Sequence, residues 1–190
     1  MKNEQIRKLT TTALFLALGL VLPLLTGQIR QIGNMLLPMH IPVFLCALIC
    51  GWQYGAAMAF ILPLLRSITF GMPPMYPTAI SMAFELGTYA LVVGMLYEKS
   101  RWQCTRALYR CMIAAMIAGR LVWGAVQAVL LGLGGQAFTL QAFLAGALLN
   151  AVPGIVIQLI LIPSIIVALD RTKLVPFKRS EEKGLWQGIV

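Results

Sequence analysis

The sequence predicts an all-α integral membrane protein, a bundle of six transmembrane helices with both termini in the cytoplasm. Composition is the first support: 59% of the 190 residues are hydrophobic and only 11% are charged, with a mean hydropathy of +0.84. In a typical soluble domain, about a quarter of the residues are charged. The second support is that the apolar residues fall into long segments divided by polar turns. The third is that the positive charges are concentrated in alternate connections.

The apolar segments differ in length and regularity. They cover residues 9–25, 41–50, 56–70, 78–97, 112–133 and 140–169. The second is too short to cross a bilayer alone at ~1.5 Å per residue. The sixth is interrupted at residues 150–154, where a Pro-Gly pair predicts a kink. Residues 51–55, which contain two glycines and two aromatic side chains, predict a tight turn between the second and third segments.

Lysine and arginine counts predict the orientation. A cytoplasmic N-terminus leaves only Arg30 in the outer connections, while Arg66 and Arg120 lie inside apolar segments. The remaining cations all fall on the inner side: Lys2, Arg7, Lys8, Lys99, Arg101, Arg106, Arg110, Arg171, Lys173, Lys178, Arg179 and Lys183. This asymmetry fits an even number of crossings. It predicts a multi-pass protein of the cell membrane, with one membrane domain at residues 1–170 and a basic cytoplasmic tail at 171–190. It also explains the net charge of +9 without nucleic acid.

Several ionisable and polar side chains lie within the apolar segments, where such groups are costly and usually functional. In the predicted orientation, residue counts place Arg66 roughly 6 Å, Glu85 roughly 10 Å and Asn150 roughly 15 Å below the outer surface. They come from different segments yet share the outer half of the membrane. A hollow open to the outside would hydrate all of them.

The fifth apolar segment carries a second set of polar and aromatic side chains. Arg120 lies near the midplane, and Trp123 and Gln127 follow on the same helix face. Cationic, aromatic and amide groups side by side suit a flat or carboxylated solute. His40 lies near the outer surface at the start of the second segment. We therefore predict an outward-facing solute pocket, with neither catalytic residues nor a metal or other cofactor.

Each of these residues also has a structural interpretation. Arg66 could extend to the outer headgroups, and Glu85 could pair with Arg66 or Arg120. Asn150 could satisfy backbone groups freed by the kink, and His40 could be an ordinary interfacial histidine. Two arginines against one glutamate leave one positive charge unmatched, and an anionic solute would balance it.

The first segment carries a small-residue face on an otherwise bulky helix. Ala13 and Ala17, four residues apart, allow another helix to approach closely. Close contact within the same bundle would explain the spacing equally well.

Over residues 9 to about 170, the chain resembles the S component (substrate-capturing subunit) of an energy-coupling factor (ECF) vitamin transporter. The resemblance rests on size, the six-helix plan and the Ala13–Ala17 pair. It also rests on the Leu-Pro-Met-His-Ile-Pro motif at residues 37–42 and the proline-rich loop at residues 71–77.

The resemblance implies a subunit that binds a vitamin or precursor from outside and has no ATPase of its own. It would work with a transmembrane coupling subunit, which Ala13 and Ala17 would contact, and with two cytoplasmic ATPases. Residues 28–38 and 71–77 would act as lids. The absence of a Walker A motif agrees with a need for such partners.

The surplus of cationic charge favours a carboxylate-bearing solute, with niacin and pantothenate as the leading candidates. A neutral or cationic vitamin held by Glu85 is the other possibility. A membrane-embedded enzyme would need a nucleophile with a base, paired carboxylates or a metal cluster, and the sequence has a single histidine and one deep acid. A non-catalytic structural subunit of a membrane complex is the alternative function.

Overall fold

The computed structural model describes residues 2–25, 38–100, 103–135, 139 and 152–171. Within these ranges the regular structure is helical, with six α-helices and no strand. The helices are α1 (Lys2–Leu25), α2 (His40–Ile49), α3 (Trp52–Phe70), α4 (Ile80–Lys99), α5 (Thr105–Leu133) and α6 (Val152–Arg171). A π-helical turn, Met75–Ala79, leads directly into α4. The all-α class that the sequence predicts is confirmed.

Four of the described helical stretches are long and apolar enough to cross a membrane: Asn3–Leu24, Met75–Lys99, Thr105–Leu133 and Val152–Arg171. Helix α2 has only 10 residues, and a spanning helix needs about 20. Large apolar side chains remain exposed on the outer faces of α5 and α6, among them Leu121 at 61% and Ile160 at 63%. An exterior of this kind suits contact with lipid rather than water. The protein is therefore a helical membrane protein.

Helix α4 lies at the centre of the described helices. It packs against α2, α3 and α5, whereas α1 packs against α2 and α3, and α6 against α2 and α5. The burial of the candidate spans agrees: 56% of the apolar window of Met75–Lys99 is buried, against 17% to 28% for the other three. A polar side chain on the inner face of α4 can therefore meet groups from several helices at once.

Small residues bring α2 and α3 into close contact. A Cβ atom added at Gly55 would lie 2.6 Å from the Cα atom of Ala47, which is too close for any larger side chain. Gly71 follows Phe70, the last residue of α3; its φ of 68° is left-handed, and its N–H donates to the Ser67 carbonyl at 3.0 Å. Glycine is the usual residue at such a helix end because it has no Cβ to clash.

Two stretches that the sequence predicts as connections are helical instead. Helix α3 begins at Trp52, so the tight turn predicted at residues 51–55 is wrong, and Gly51, with a φ of 100°, is the turn. Helix α5 begins at Thr105, although its apolar run begins at residue 112. Polar side chains at the end of a membrane helix can extend toward headgroups and water, so a loss of apolar character does not mark the helix boundary.

The predicted kink at residues 150–154 is described only from Val152 onward. The described part of helix α6 runs from Val152 to Arg171 and includes Pro153. The tail at 172–190, including most of the predicted basic cytoplasmic segment, lies outside the described residues.

Candidate functional site

The carboxylate of Glu85 is the centre of a buried polar cluster. Glu85 lies on α4 and is 2% exposed. Its Oε1 accepts a hydrogen bond from the Tyr89 hydroxyl at 2.7 Å and lies 3.0 Å from Nη1 of Arg120 on α5. Nε2 of His40, the first residue of α2, lies 4.0 Å from the same oxygen. The structure thus brings three of the predicted site residues, Glu85, Arg120 and His40, together from three helices.

Tyr89 is the member of this cluster that sequence reasoning missed. It follows Glu85 by one helical turn, so both side chains lie on the same face of α4. Its ring centroid lies 5.4 Å from that of His40 and 5.3 Å from that of Phe44, against which it stacks. The four-residue spacing from Glu85 was the available signal. An aromatic residue in an apolar run looks like ordinary core, however, and the sequence does not show where its hydroxyl points.

A glycine on α5 allows the cluster to form. A Cβ atom added at Gly119 would lie 2.1 Å from Cε1 of Tyr89 and 3.1 Å from the backbone oxygen of Glu85. The backbone of α5 therefore passes directly over the Tyr89 ring. Because Arg120 is the next residue, this close approach brings its side chain within reach of Glu85.

The ion pair leaves part of the Arg120 guanidinium unused. Only Nη1 contacts Glu85, and the buried Nε and Nη2 atoms have no hydrogen-bond partner among the residues that the structure describes. A buried, unpaired donor on a charged group is costly. The arrangement can therefore accept an additional hydrogen-bonding group beside the Glu85–Arg120 pair.

Arg66 lies elsewhere. Its side chain, on α3, is 4% exposed, and Nη1 donates to the Leu20 carbonyl of α1 at 2.8 Å. The guanidinium carbon also lies 5.4 Å from the centroid of the Phe70 ring. Among the open interpretations, Glu85 pairs with Arg120 and not with Arg66. The count of two arginines against one glutamate therefore does not describe a single site.

The other predicted site residues have different positions. Trp123 is half-buried on α5, one turn after Arg120. Gln127 is also half-buried, and its Oε1 atom is buried with no hydrogen-bond partner in the described part of the chain. Asn150 lies outside the described residues.

Ala13 and Ala17 face away from the bundle. Both are exposed on α1, whereas Phe15 and Leu16 pack against the core. Thr12 also faces inward, since its hydroxyl lies 3.7 Å from the Cys46 sulfur. The pair of alanines is therefore not used for contact within the described bundle.

The proline-rich loop contacts the helix that carries Arg120. The hydroxyl of Tyr76 donates a hydrogen bond to the Leu130 carbonyl near the end of α5. That carbonyl also accepts the Gly134 N–H at 3.1 Å. Of the two predicted lids, this one is described, whereas residues 28–37 of the other are not.

A groove lies apart from the polar cluster. It is formed by the last turn of α4 and the first turns of α5, and Leu96, Lys99, Arg110 and Ala114 are among its lining residues. None of the predicted site residues lines it.

The comparisons with known proteins identify a family. Residues 7–166 match the family model described as "ECF transporter, substrate-specific component". No curated protein and no solved structure matches the chain. Members of the matched family are substrate-binding subunits of transporters and not enzymes. Since the match covers most of the sequence, this chain belongs to the family of substrate-specific components of ECF transporters.

Proposed function

We propose that this chain captures a small vitamin or precursor from outside the cell and delivers it together with a transmembrane coupling subunit and two cytoplasmic ATPases. The observation that carries the proposal is the buried Glu85–Arg120 pair with its unused donors. A buried ion pair is weak evidence for stability, because apolar residues often replace one without loss. Unsatisfied donors on that pair favour a ligand, and polar groups inside a membrane helix are by default functional.

The distribution of lysine and arginine supports one orientation in the membrane. We propose six crossings with both termini in the cytoplasm, which places Glu85 in the outer half of the cell membrane. The polar cluster would then line a pocket that opens outward. The loop at residues 71–77 would cover it, and the contact of Tyr76 with the Leu130 carbonyl would hold that cover closed. Residues 28–38 would form the second lid.

We propose an anionic solute, with niacin and pantothenate as candidates. A surplus of arginines does not support this, because Arg66 binds the backbone of α1. The support is instead the free edge of Arg120, whose two N–H groups suit a carboxylate.

The most direct test is to identify the molecule that co-purifies with the protein. We expect mass spectrometry of a denatured, purified sample to show one small polar molecule, in near-equimolar amount. The Glu85→Gln/Arg120→Met double variant, which lacks both charges, is the matched empty control. If the wild-type protein carries no such molecule and also takes up none from a vitamin mixture, the chain is better explained as a structural subunit.

Substitution of the exposed alanines tests the docking of the coupling subunit. We expect Ala13→Trp or Ala17→Trp to abolish vitamin uptake and co-purification of the coupling subunit, because a large side chain prevents close approach of another helix. Solute binding by the isolated variants should be unchanged, since neither alanine contacts the cluster. Ile117→Trp is the control, because Ile117 is 59% exposed on α5, away from this face. Normal uptake by both alanine variants would remove α1 as the docking helix.

A further inference from the structure

The Nε and Nη2 atoms of Arg120 offer a binding position for one end of a ligand. Nε and Nη2 lie along one edge of the planar guanidinium, and both are buried without a partner among the described residues. Two parallel N–H groups match the two oxygens of a carboxylate, and such bidentate pairs are the strongest and most directional that arginine makes. Glu85 uses only Nη1, so this edge stays available while the ion pair is intact.

Gln127 offers a binding position for the other end of the ligand. It follows Arg120 by seven residues on α5, which places it on the same face of the helix and about 10 Å farther along the axis. Its Oε1 atom is buried and lacks a partner in the described part of the chain. A buried amide oxygen without a donor is costly. A hydroxyl group suits this position best, because it can donate to the amide oxygen and also accept from the amide nitrogen.

Because the two unfilled positions lie on one helix face, we propose that the solute is an elongated carboxylic acid with a hydroxyl group at the opposite end. Its carboxylate would bind the Nε–Nη2 edge of Arg120, and its hydroxyl would bind Gln127. This inference rests on the proposed function and sharpens it. Pantothenate has this form, since its hydroxyls lie at the end opposite the carboxylate. Nicotinate is compact, and its ring nitrogen is an acceptor with no hydroxyl beside it.

The test compares pantothenate with two analogues that each differ from it at one end, and with nicotinate. Pantothenate has both ends, pantothenol replaces the carboxylate with an alcohol, and N-acetyl-β-alanine keeps the carboxylate but lacks the hydroxylated arm. By calorimetry on the purified full chain, we expect pantothenate to bind at least about tenfold more tightly than either analogue. A site built to hydrogen-bond a group rejects the analogue that lacks it by at least this factor. Nicotinate should bind no better than N-acetyl-β-alanine.

The Gln127→Leu variant links the second end to its residue. Affinity for pantothenate should fall at least about tenfold, toward that of N-acetyl-β-alanine, while affinity for N-acetyl-β-alanine itself should not change. Equal binding of pantothenol and pantothenate, or tighter binding of nicotinate than of pantothenate, would overturn the inference. A neutral or compact molecule that co-purifies with the chain would also overturn it while leaving the capture function intact. If no molecule co-purifies and no probe binds, both the inference and the capture function fail.

Discussion

Replacing Arg120 with methionine is expected to destabilise the protein by about 3–5 kcal/mol, the usual cost of removing one partner from a buried ion pair. Solute binding should also be lost. Glu85 is 2% exposed, and without Arg120 its charge would face, among the described residues, the Tyr89 hydroxyl and His40. Thermal unfolding in detergent micelles measures the first effect, and calorimetry with the co-purifying molecule measures the second.

The double variant separates the two roles of Arg120. In Glu85→Gln/Arg120→Met no charge is left without its partner, so we expect most of the stability to return. Binding should remain absent, because the free guanidinium edge is missing. Arg120→Lys is a second control that keeps the charge but lacks the two parallel N–H groups. If the double variant binds the solute as the wild type does, Arg120 has a structural role only.

The second large effect is expected from Gly119→Ala. The added Cβ would lie 2.1 Å from Cε1 of Tyr89 and 3.1 Å from the Glu85 carbonyl oxygen, so either the ring or the whole of α5 must move. Overpacking of this kind costs about 1–3 kcal/mol. A shift of α5 also separates Arg120 from Glu85, so binding should weaken together with stability.

A glycine farther along the same helix is the matched control. Nothing lies within 4 Å of a Cβ added at Gly132, so Gly132→Ala should leave the unfolding temperature and the solute affinity nearly unchanged. The variant Gly119→Ala/Tyr89→Leu removes the ring that the new methyl group meets, and it should recover part of the stability. Wild-type stability of Gly119→Ala alone would show that α5 does not depend on this approach.

The membrane class and the existence of the helices could be read from the sequence because both depend on composition and on local apolar runs. Helix ends were less predictable. Helix α5 already includes the polar residues from Thr105 onward, because headgroups and water can hydrogen-bond to polar side chains at a helix end, whereas hydrocarbon cannot.

The direction of the buried side chains could not be predicted from the sequence. Residue counts predict a level in the membrane for Arg66 and Arg120, yet they do not show which neighbouring helix each side chain faces. That depends on the order in which helices pack, and Arg66 faces α1 while Arg120 faces α4. Tyr89 was not predicted for a related reason. Its role depends on the hydrogen bond from its hydroxyl to Glu85, and its position in an apolar run does not show that bond.

The hydrogen bond from Arg66 to the Leu20 carbonyl has a mechanical consequence. Among the described helices, α1 packs against α2 and α3, and lipid gives little drive for apolar helices to stay together. This charged hydrogen bond therefore links α1 to α3 in a fixed direction. Arg66 stands four residues before α3 ends at Phe70, where the proline-rich loop begins. A partner protein that pulls α1 away from the bundle would also pull on the end of α3, so force applied at Ala13 and Ala17 would be transmitted to the proline-rich loop.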